Sequence, residues 1–289
     1  MSFSTQLALD AAAIQVRLDA AMAGFSDEPV VQAMRYAVQG GKRLRGFLVL
    51  EAARMLGVPQ ARAISAAAAV EALHAYSLVH DDMPCMDDDA LRRGLPTVHV
   101  KWDEATAVLA GDALQTLAFE LMADPDLGSA ETRIALVAGL ARASGAEGMV
   151  LGQALDIAAE TAIQPLTLNK IIELQAGKTG ALIRFSAEAG AILAGADPAP
   201  LRAYATALGL AFQIWDDVLD VTGDAAVTGK AVGKDAAAGK ATFVSLLGLD
   251  EARARATSLV AQAEIALAPY GPVAQNLIDC ARFVIARQS

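Results

Sequence analysis

The feature that most constrains this chain is the spacing of its apolar residues. They recur at helical intervals along almost the whole sequence, with Ala and Leu abundant and no sustained period-two alternation. Hydrophobic residues make up 55% of the chain and charged residues 19%, which is ample material for a large core. Breaks containing glycine and proline divide the pattern into helices of roughly 20 to 30 residues, a length typical of large helical bundles. We therefore predict an all-α fold, organised as a single domain over residues 1–289.

The charge and the N-terminus argue against several classes of protein. The formal net charge of −10 disfavours non-specific binding to nucleic acid or to anionic lipid. The N-terminus has neither a basic head nor an apolar run with a cleavage site, so no export signal is expected. The longest apolar region, 63–79, is interrupted by Glu71 and His74, which is typical of a buried helix and not of a membrane span. We expect a soluble cytoplasmic protein in which Cys85 and Cys280 are free thiols.

Directly after that apolar region, five aspartates lie within nine residues: Asp81, Asp82, Asp87, Asp88 and Asp89. Such a density of like charge requires either solvent screening or a cation. Asp81 and Asp87 are six residues apart, so a continuous helix would not aim them together. Pro84 disfavours helix at this point, which predicts a loop over 83–86 that lets the two carboxylates converge. The last two aspartates are expected to face water or to pair with a neighbouring arginine.

A second acidic cluster lies deep in an apolar helical segment and consists of Asp216, Asp217 and Asp220. Asp216 and Asp220 are four residues apart, so their side chains share one face of a helix. Hard carboxylate oxygens in this arrangement suit Mg²⁺ that is bound jointly with phosphate. The alternative is a helix C-terminus that rises into solvent at 222–224, and the cluster alone does not separate the two interpretations.

Basic groups are placed as if to balance the acids. Gly40–Arg45 precedes an apolar helix, where a glycine pair and free amides favour an anion, and it carries Lys42 and Arg45 on one face. A surface salt-bridge site is the alternative for this segment. Arg92 and Arg93 follow the first acidic cluster, and guanidinium suits bidentate phosphate contact. These residues are candidates for an anion site, and the residues alone leave both interpretations open.

Three further features are candidates for the same site. The segment 175–180 places Lys178 and Thr179 beside two glycines, which predicts a kink with exposed carbonyls. His74 lies two helical turns before the first acidic cluster, where it is either a structural histidine or a ligand contact. Gln153 and Asp156 are polar residues in an apolar helix and suggest a pocket wall.

The Gly/Lys-rich segment 222–241 is interpreted as a flexible flap, with a mobile surface loop as the alternative. Its lysines, which would close over a phosphate-bearing ligand, are Lys230, Lys234 and Lys240.

In combination, these segments resemble the trans-isoprenyl diphosphate synthase family, and most closely its short-chain bacterial members that make farnesyl diphosphate. The resemblance spans nearly the whole chain and rests on GGKRLR at 40–45, HAYSLVHDDMPCMDDDALRRGLPTVH at 74–99, GDALQTLAFE at 111–120, GQALD at 152–156, KTGALI at 178–183, and FQIWDDVLDVTGD with GKAVGKD at 212–235. The chain departs from the family pattern at Gly46 and Val244, where proline is frequent, and at Ala90, where a fourth aspartate is frequent.

The resemblance implies a single bundle around a central cavity, usually in a homodimer, with the two aspartate segments facing each other. It implies three Mg²⁺ ions, with Mn²⁺ as an alternative ion, held through Asp81, Asp87 and Asp216 with support from Asp82, Asp217 and Asp220. Arg92, Lys178 and Lys234 would bind the allylic diphosphate. Isopentenyl diphosphate would be bound by Lys42, Arg45, His74 and Arg93. Carbonyls near Lys178 and Thr179, with the amide of Gln213, would face an allylic cation.

Product length is expected to depend on Tyr76 and Ser77, just upstream of the first aspartate segment. An aromatic residue at Tyr76 resembles synthases that stop at fifteen carbons, and the alternative is a geranylgeranyl or geranyl diphosphate synthase. Two further alternatives are a class I terpene cyclase and a non-catalytic partner subunit. A cyclase needs no second diphosphate site, and a partner subunit typically lacks some of the ligands.

Overall fold

A computed structural model of the protein describes residues 2–160, 166–222 and 241–287. Within these residues the regular secondary structure is helical apart from one short antiparallel hairpin, β1 (Leu91–Arg92) and β2 (Leu95–Pro96). The predicted all-α class is therefore confirmed. The flap predicted over 222–241 lies outside the described residues except at its two ends.

The described chain divides into two compact units, and the prediction of a single domain stays a prediction. The first unit comprises Met1–Leu140 and Ala189–Ala196. Its helices are α1 (Phe3–Met22), α2 (Pro29–Ala37), α3 (Leu44–Met55), α4 (Gln60–Asp81), α5 (Val98–Lys101) and α6 (Glu104–Met122). Helices α7 (Ala130–Ser144) and α10 (Ala181–Ala194) have residues in both units.

Helix α4 is the core helix of the first unit and packs against α1, α3 and α6. Its alanine run 66–69 is fully buried, because small side chains let neighbouring helices approach closely. The region 63–79, predicted to be a buried helix, lies within α4. Helix α4 ends at Asp81. The packing of α4 in the core therefore fixes the position at which the first aspartate segment begins.

The second unit comprises Ala141–Glu188 and Asp197–Ser289. Its helices are α8 (Met149–Glu160), α9 (Leu168–Gln175), α11 (Ala199–Thr222), α12 (Phe243–Leu247), α13 (Leu249–Leu267) and α14 (Gln275–Ala286). Helix α11 packs against α13 and α14, and the buried hydroxyl of Tyr204 donates to the carbonyl of Leu277 at 2.7 Å. This packing fixes the face of α11 that carries the second aspartate segment.

Several helices are shorter than the 20 to 30 residues expected from the breaks. Helix α2 has 9 residues and α3 has 12, because Gly40, Gly41 and Arg43 adopt left-handed backbone conformations between them. Asp103 begins α6 by accepting from the amide of Thr106 at 2.7 Å. The expected irregularity at 175–180 is present as a π-helical turn over Ala176–Gly180.

One stretch, Ala130–Ala159, is apolar and long enough to span a membrane by length and composition, with 33% of its most apolar window buried. Residues 145–148 separate α7 from α8 within it. Both cysteines are free thiols as predicted, with Cys85 exposed and Cys280 buried. Burial raises the pKa of the Cys280 thiol to about 12.

Candidate active site

The first aspartate segment leaves α4 through a loop, as Pro84 predicted. The amide of Asp87 donates to the carbonyl of Asp81 at 2.9 Å, and the amide of Asp88 donates to the carbonyl of Met83 at 3.1 Å. The backbone therefore folds back across 82–86 and places Asp87 beside Asp81. Asp81 is half-buried and Asp87 is exposed.

Asp82 has a different environment from its neighbours. Its side chain is 5% exposed and accepts from Arg92, with Nε at 2.8 Å from both carboxylate oxygens and Nη2 at 2.5 Å from Oδ1. Desolvation raises the pKa of the Asp82 carboxyl, and the hydrogen bonds from Arg92 oppose that rise. The hairpin that carries Arg92 is in turn held by the hydroxyl of Tyr36, which donates to the carbonyl of Pro96 at 2.8 Å. The sequence did not predict this ion pair, and the metal contact of Asp82 and the diphosphate contact of Arg92 stay predictions.

The Gly40–Arg45 segment brings two of its predicted residues to α4. Arg45 Nη1 lies 3.2 Å from His74 Nε2, while Lys42 is exposed. Burial and then the charge of Arg45 hold the pKa of His74 well below its usual value, with smaller contributions from other nearby arginines. His74 is therefore neutral near pH 7, so its Nε2 accepts the hydrogen bond from Arg45.

A buried network under this segment was missed by sequence reasoning. Arg43 and Glu71 are both buried, with Arg43 Nη1 3.6 Å from Glu71 Oε2, and Arg43 Nη2 lies 2.6 Å from Gln15 Oε1. The amide of Gly46 donates to Glu71 Oε1 at 2.8 Å, a bond that proline could not make. An acid in an alanine-rich buried helix needs a partner, so Glu71 was the signal that could have revealed this network.

Arg93 lies close to the glycine pair. Its Nη1 donates to the carbonyl of Gln39 at 3.1 Å, and its guanidinium fills the space that a side chain on Gly41 would need. Desolvation and the nearby Arg43 lower the pKa of Arg93. Arg92 and Arg93 line the same cleft as Asp82, so the structure brings these three predicted residues together within the first unit.

Tyr76, the predicted floor residue, is buried between α4 and α6. Its ring contacts His80 edge-on with 5.3 Å between centroids, and His80 Nε2 lies 3.1 Å from the carbonyl of Val108. The imidazole occupies the space beside Gly111, where a side chain would collide with it. Burial and Asp81 raise the pKa of Tyr76, while a hydrogen bond with Gln115 opposes this. Ser77 Oγ donates to the carbonyl of His74 at 2.9 Å, which occupies its hydroxyl proton.

In the second unit, the π-helical turn carries Lys178 and Thr179. Lys178 Nζ donates to Asp156 Oδ2 at 2.6 Å. Asp156, which was predicted to be part of a pocket wall, therefore forms an ion pair with this lysine. Gly152 contacts the backbone at Lys178 so closely that a side chain there would collide with it. Gln153 is half-buried, and its Nε2 has no hydrogen-bond partner in the described part of the chain. A π-helical turn alters the usual pairing of its carbonyls, which is what the predicted cation contact needs.

The second aspartate segment lies on the last turns of α11. Asp216 and Asp220 share a face of the helix and are both half-buried, as is Gln213. Asp217 Oδ2 accepts from the amide of Phe243 at 2.6 Å, which ties α12 to α11. Arg287, absent from the predicted set, donates through Nη2 to Asp216 Oδ1 at 2.5 Å. The predicted diphosphate ligand Lys234 lies outside the described residues.

The donor chemistry of each segment fits Mg²⁺. The candidate ligands are carboxylates, and Mg²⁺ prefers few protein carboxylates together with water and substrate phosphate oxygens. No cluster of three or more His, Cys, Asp or Glu suited to holding a metal occurs within residues 2–160, 166–222 and 241–287. Carboxylate ligands of this kind suit an ion that is shared with a phosphate-bearing ligand.

Comparison with known proteins agrees with this chemistry. The polyprenyl synthetase family matches residues 27–266. The chain belongs to this family. Its sequence is 51% identical over 251 residues to farnesyl diphosphate synthase of Escherichia coli K12, covering 84% of this chain and 83% of that protein. It is 45% identical over 269 residues to farnesyl diphosphate synthase of Haemophilus influenzae, covering 90% of each. A crystal structure of an FPP/GFPP synthase from Zymomonas mobilis superimposes with a TM-score of 0.89 at 44% identity over 98% of both chains.

Proposed function

We propose that this polyprenyl synthetase is a magnesium-dependent prenyltransferase of isoprenoid biosynthesis. It condenses isopentenyl diphosphate with dimethylallyl and then geranyl diphosphate, giving (2E,6E)-farnesyl diphosphate and diphosphate. The observation that carries the proposal is the presence of two aspartate segments with a basic side chain held by a carboxylate near each. Arg92 is held by Asp82 and Lys178 by Asp156. The similarity to farnesyl diphosphate synthases supports the substrate class and product.

The residues that bind the allylic diphosphate are proposed to work by charge. Three Mg²⁺ ions held through Asp81, Asp87 and Asp216 would supply the positive charge that stabilises the leaving diphosphate. Asp82, Asp217 and Asp220 support these ligands, and Arg92, Lys178 and Lys234 contact the diphosphate oxygens. A side chain that is already fixed by an ion pair loses little freedom when it binds the substrate, so Arg92 and Lys178 are preorganised for this role.

The residues around the developing cation are proposed to exclude water and orient dipoles. Ionisation of the allylic C–O bond leaves a carbocation that water would capture. Carbonyls of the π-helical turn at Lys178 and Thr179, with the side-chain amide of Gln213, provide negative dipole ends for it. The double bond of isopentenyl diphosphate then attacks the allylic carbocation. The carbocation formed by this attack loses a proton to the departing diphosphate, which gives the product double bond. The proposal requires no protein nucleophile.

The second diphosphate is proposed to bind at the Gly40–Arg45 segment. Lys42, Arg45 and Arg93 provide positive charge, and the neutral His74 holds Arg45 without adding to the repulsion among the cations. The buried Arg43–Glu71 pair connects this segment to α4. A class I terpene cyclase has no need of such a second site, which favours chain elongation.

Product length is proposed to be set by Tyr76, with Ser77 beside it. The buried ring of Tyr76 is fixed by His80 and Gln115, so it can act as a rigid floor five residues before Asp81. The alternative product is geranylgeranyl or geranyl diphosphate. We further propose that the protein is cytoplasmic and forms a homodimer. Exposed apolar side chains such as Leu109 on α6, Ile134 on α7 and Leu151 on α8 are candidates for its interface.

The decisive experiment incubates the purified protein with isopentenyl and dimethylallyl diphosphates, in Mg²⁺ or in EDTA. The products are dephosphorylated and separated by chromatography. We expect a fifteen-carbon alcohol that forms only with Mg²⁺. A twenty-carbon product would establish the alternative synthase, and a cyclic hydrocarbon a cyclase. A protein that extends no chain under these conditions would contradict the proposal and favour a partner subunit.

A further inference from the structure

Arg287, the last described residue, is seated on the second aspartate segment. Its side chain is 8% exposed, and Nη2 donates to Asp216 Oδ1 at 2.5 Å and to the carbonyl of Phe212 at 3.2 Å. The guanidinium also lies over the ring of Phe212, 3.8 Å from its centroid. In return, Trp215 Nε1 donates to the carbonyl of Arg287 at 3.3 Å. The arginine is thus fixed by both its side chain and its backbone to a single turn of α11.

These contacts place a cation on Asp216, the carboxylate that the proposed function assigns to Mg²⁺. A guanidinium at hydrogen-bonding distance neutralises much of the charge that Asp216 would offer to Mg²⁺. An ion that approached the same carboxylate would also be repelled by the arginine, since the two cations would lie only a few ångströms apart. Asp216 itself is 46% exposed, so the arginine neutralises this carboxylate without sealing it from solvent.

We propose that Arg287 is a positioning residue that holds Asp216 in the metal-free enzyme and competes with Mg²⁺ for this carboxylate. The inference rests on the proposed function, because it takes Asp216 as a magnesium ligand. It adds that loading the second aspartate segment with Mg²⁺ displaces a specific contact from the end of α14. Metal binding at α11 is thereby linked to the order of the C-terminal helix.

A purely structural role for Arg287 makes a different prediction. If the arginine only anchored α14 through its packing on Phe212, its replacement would change stability and leave the response to Mg²⁺ unaltered. Arg287→Met keeps an apolar stem over Phe212 and removes the charge. Arg287→Lys keeps the charge and loses the planar group. The two variants therefore separate charge from packing.

Trp215 provides a reporter next to the contact. The chain has two tryptophans, so a Trp102→Phe background leaves Trp215 as the single indole. Mg²⁺ is titrated into this protein at a fixed low concentration of inorganic diphosphate, and Trp215 fluorescence is followed. The midpoint is measured independently from the rise in unfolding temperature with Mg²⁺. Arg282→Met is the matched control, because Arg282 lies on α14 shortly before Arg287 but pairs with Glu264 at 2.7 Å and is 56% exposed.

We expect the half-saturating Mg²⁺ concentration to fall about five- to tenfold in Arg287→Met and to stay at the parent value in Arg287→Lys and Arg282→Met. An unchanged or higher midpoint in Arg287→Met would overturn the inference, as would a lysine variant that behaves like the methionine variant. If the parent extends prenyl chains with Mg²⁺ while the Arg287 variants keep its midpoint, only this inference fails. If the parent binds neither Mg²⁺ nor diphosphate, the proposed function fails with it.

Discussion

The two aspartate segments, both proposed to bind Mg²⁺, have different backbone conformations. The first lies on a loop at the end of α4, where the amide of Asp87 donates to the carbonyl of Asp81. The second lies on the continuous helix α11, where a spacing of four places Asp216 and Asp220 on one face. In each segment at least one aspartate already has a structural partner: Arg92 holds Asp82, and the amide of Phe243 binds Asp217. Each segment therefore contains a carboxylate with a structural partner, and the spacing of the aspartates alone does not show which one this is.

The largest expected effect tests whether both segments act on the same reaction. We expect Asp81→Asn and Asp216→Asn each to lower the rate of product formation by about 10²-fold or more, because each removes the charge of a proposed magnesium ligand. Initial rates at saturating Mg²⁺ and substrate provide the measurement.

Asp88→Asn is the control for this comparison. Asp88 is exposed and has a φ of 51°, a left-handed conformation that asparagine also tolerates. Its rate should stay within about twofold of the parent. If either ligand variant retained parent activity, the aspartate that it replaces would have no part in catalysis.

The second prediction separates functional from structural carboxylates within the first segment. Asp82→Ala leaves Arg92 without its partner, and because that arginine is only 22% exposed we expect the free energy of unfolding to fall by about 2 kcal/mol. Asp87→Ala should change it by less than about 0.5 kcal/mol, since the side chain is exposed, and yet should abolish activity. Urea unfolding of both variants gives the comparison.

Adding Arg92→Met to Asp82→Ala tests the physical reason. The double variant should regain part of the lost stability, because the uncompensated charge is removed. Equal stability of Asp82→Ala and Asp87→Ala would mean that the Asp82–Arg92 pair contributes nothing.

The contrast between the segments also shows how far sequence reasoning extends. Helical periodicity was enough for the all-α class, and Pro84 was enough for the loop between Asp81 and Asp87, because both are local properties of the chain. The partners of Glu71 and Asp216 were not predictable in the same way. Arg43 is 28 residues from Glu71 in sequence, and Arg287 is 71 residues from Asp216. Both pairs follow from helix packing, which local sequence patterns do not predict. The two compact units likewise follow from packing, because no change of composition marks their boundary.

The third prediction asks whether the helix of the first segment also sets product length. Tyr76→Ala should move the main product from fifteen to twenty or more carbons, because the floor ring is lost. Tyr76→Phe keeps the ring without its hydroxyl and should keep the fifteen-carbon product. Chromatography of dephosphorylated products measures both. A fifteen-carbon product from Tyr76→Ala would show that another residue forms the floor.

The smallest expected effect is the part of the pH dependence of folding stability that arises from His74. All three histidines of the chain lie between 74 and 99, and burial beside Arg45 holds the pKa of His74 well below 6.5. The unfolded chain therefore binds a proton at His74 as pH falls through about 6.5 while the folded protein does not, so folding stability is lost toward acid. Relative to His74→Gln, the parent should lose at most about 1.4 kcal/mol of unfolding free energy per pH unit below pH 6.5.

Urea unfolding at several pH values from 7.5 to 5.5 measures this slope for the parent and for His74→Gln. Subtracting the two curves removes the contribution of the many carboxylates, which both proteins share. Parallel curves for His74→Gln and the parent would instead mean that His74 takes up a proton in the folded state, and that it could then donate a hydrogen bond directly to the second diphosphate.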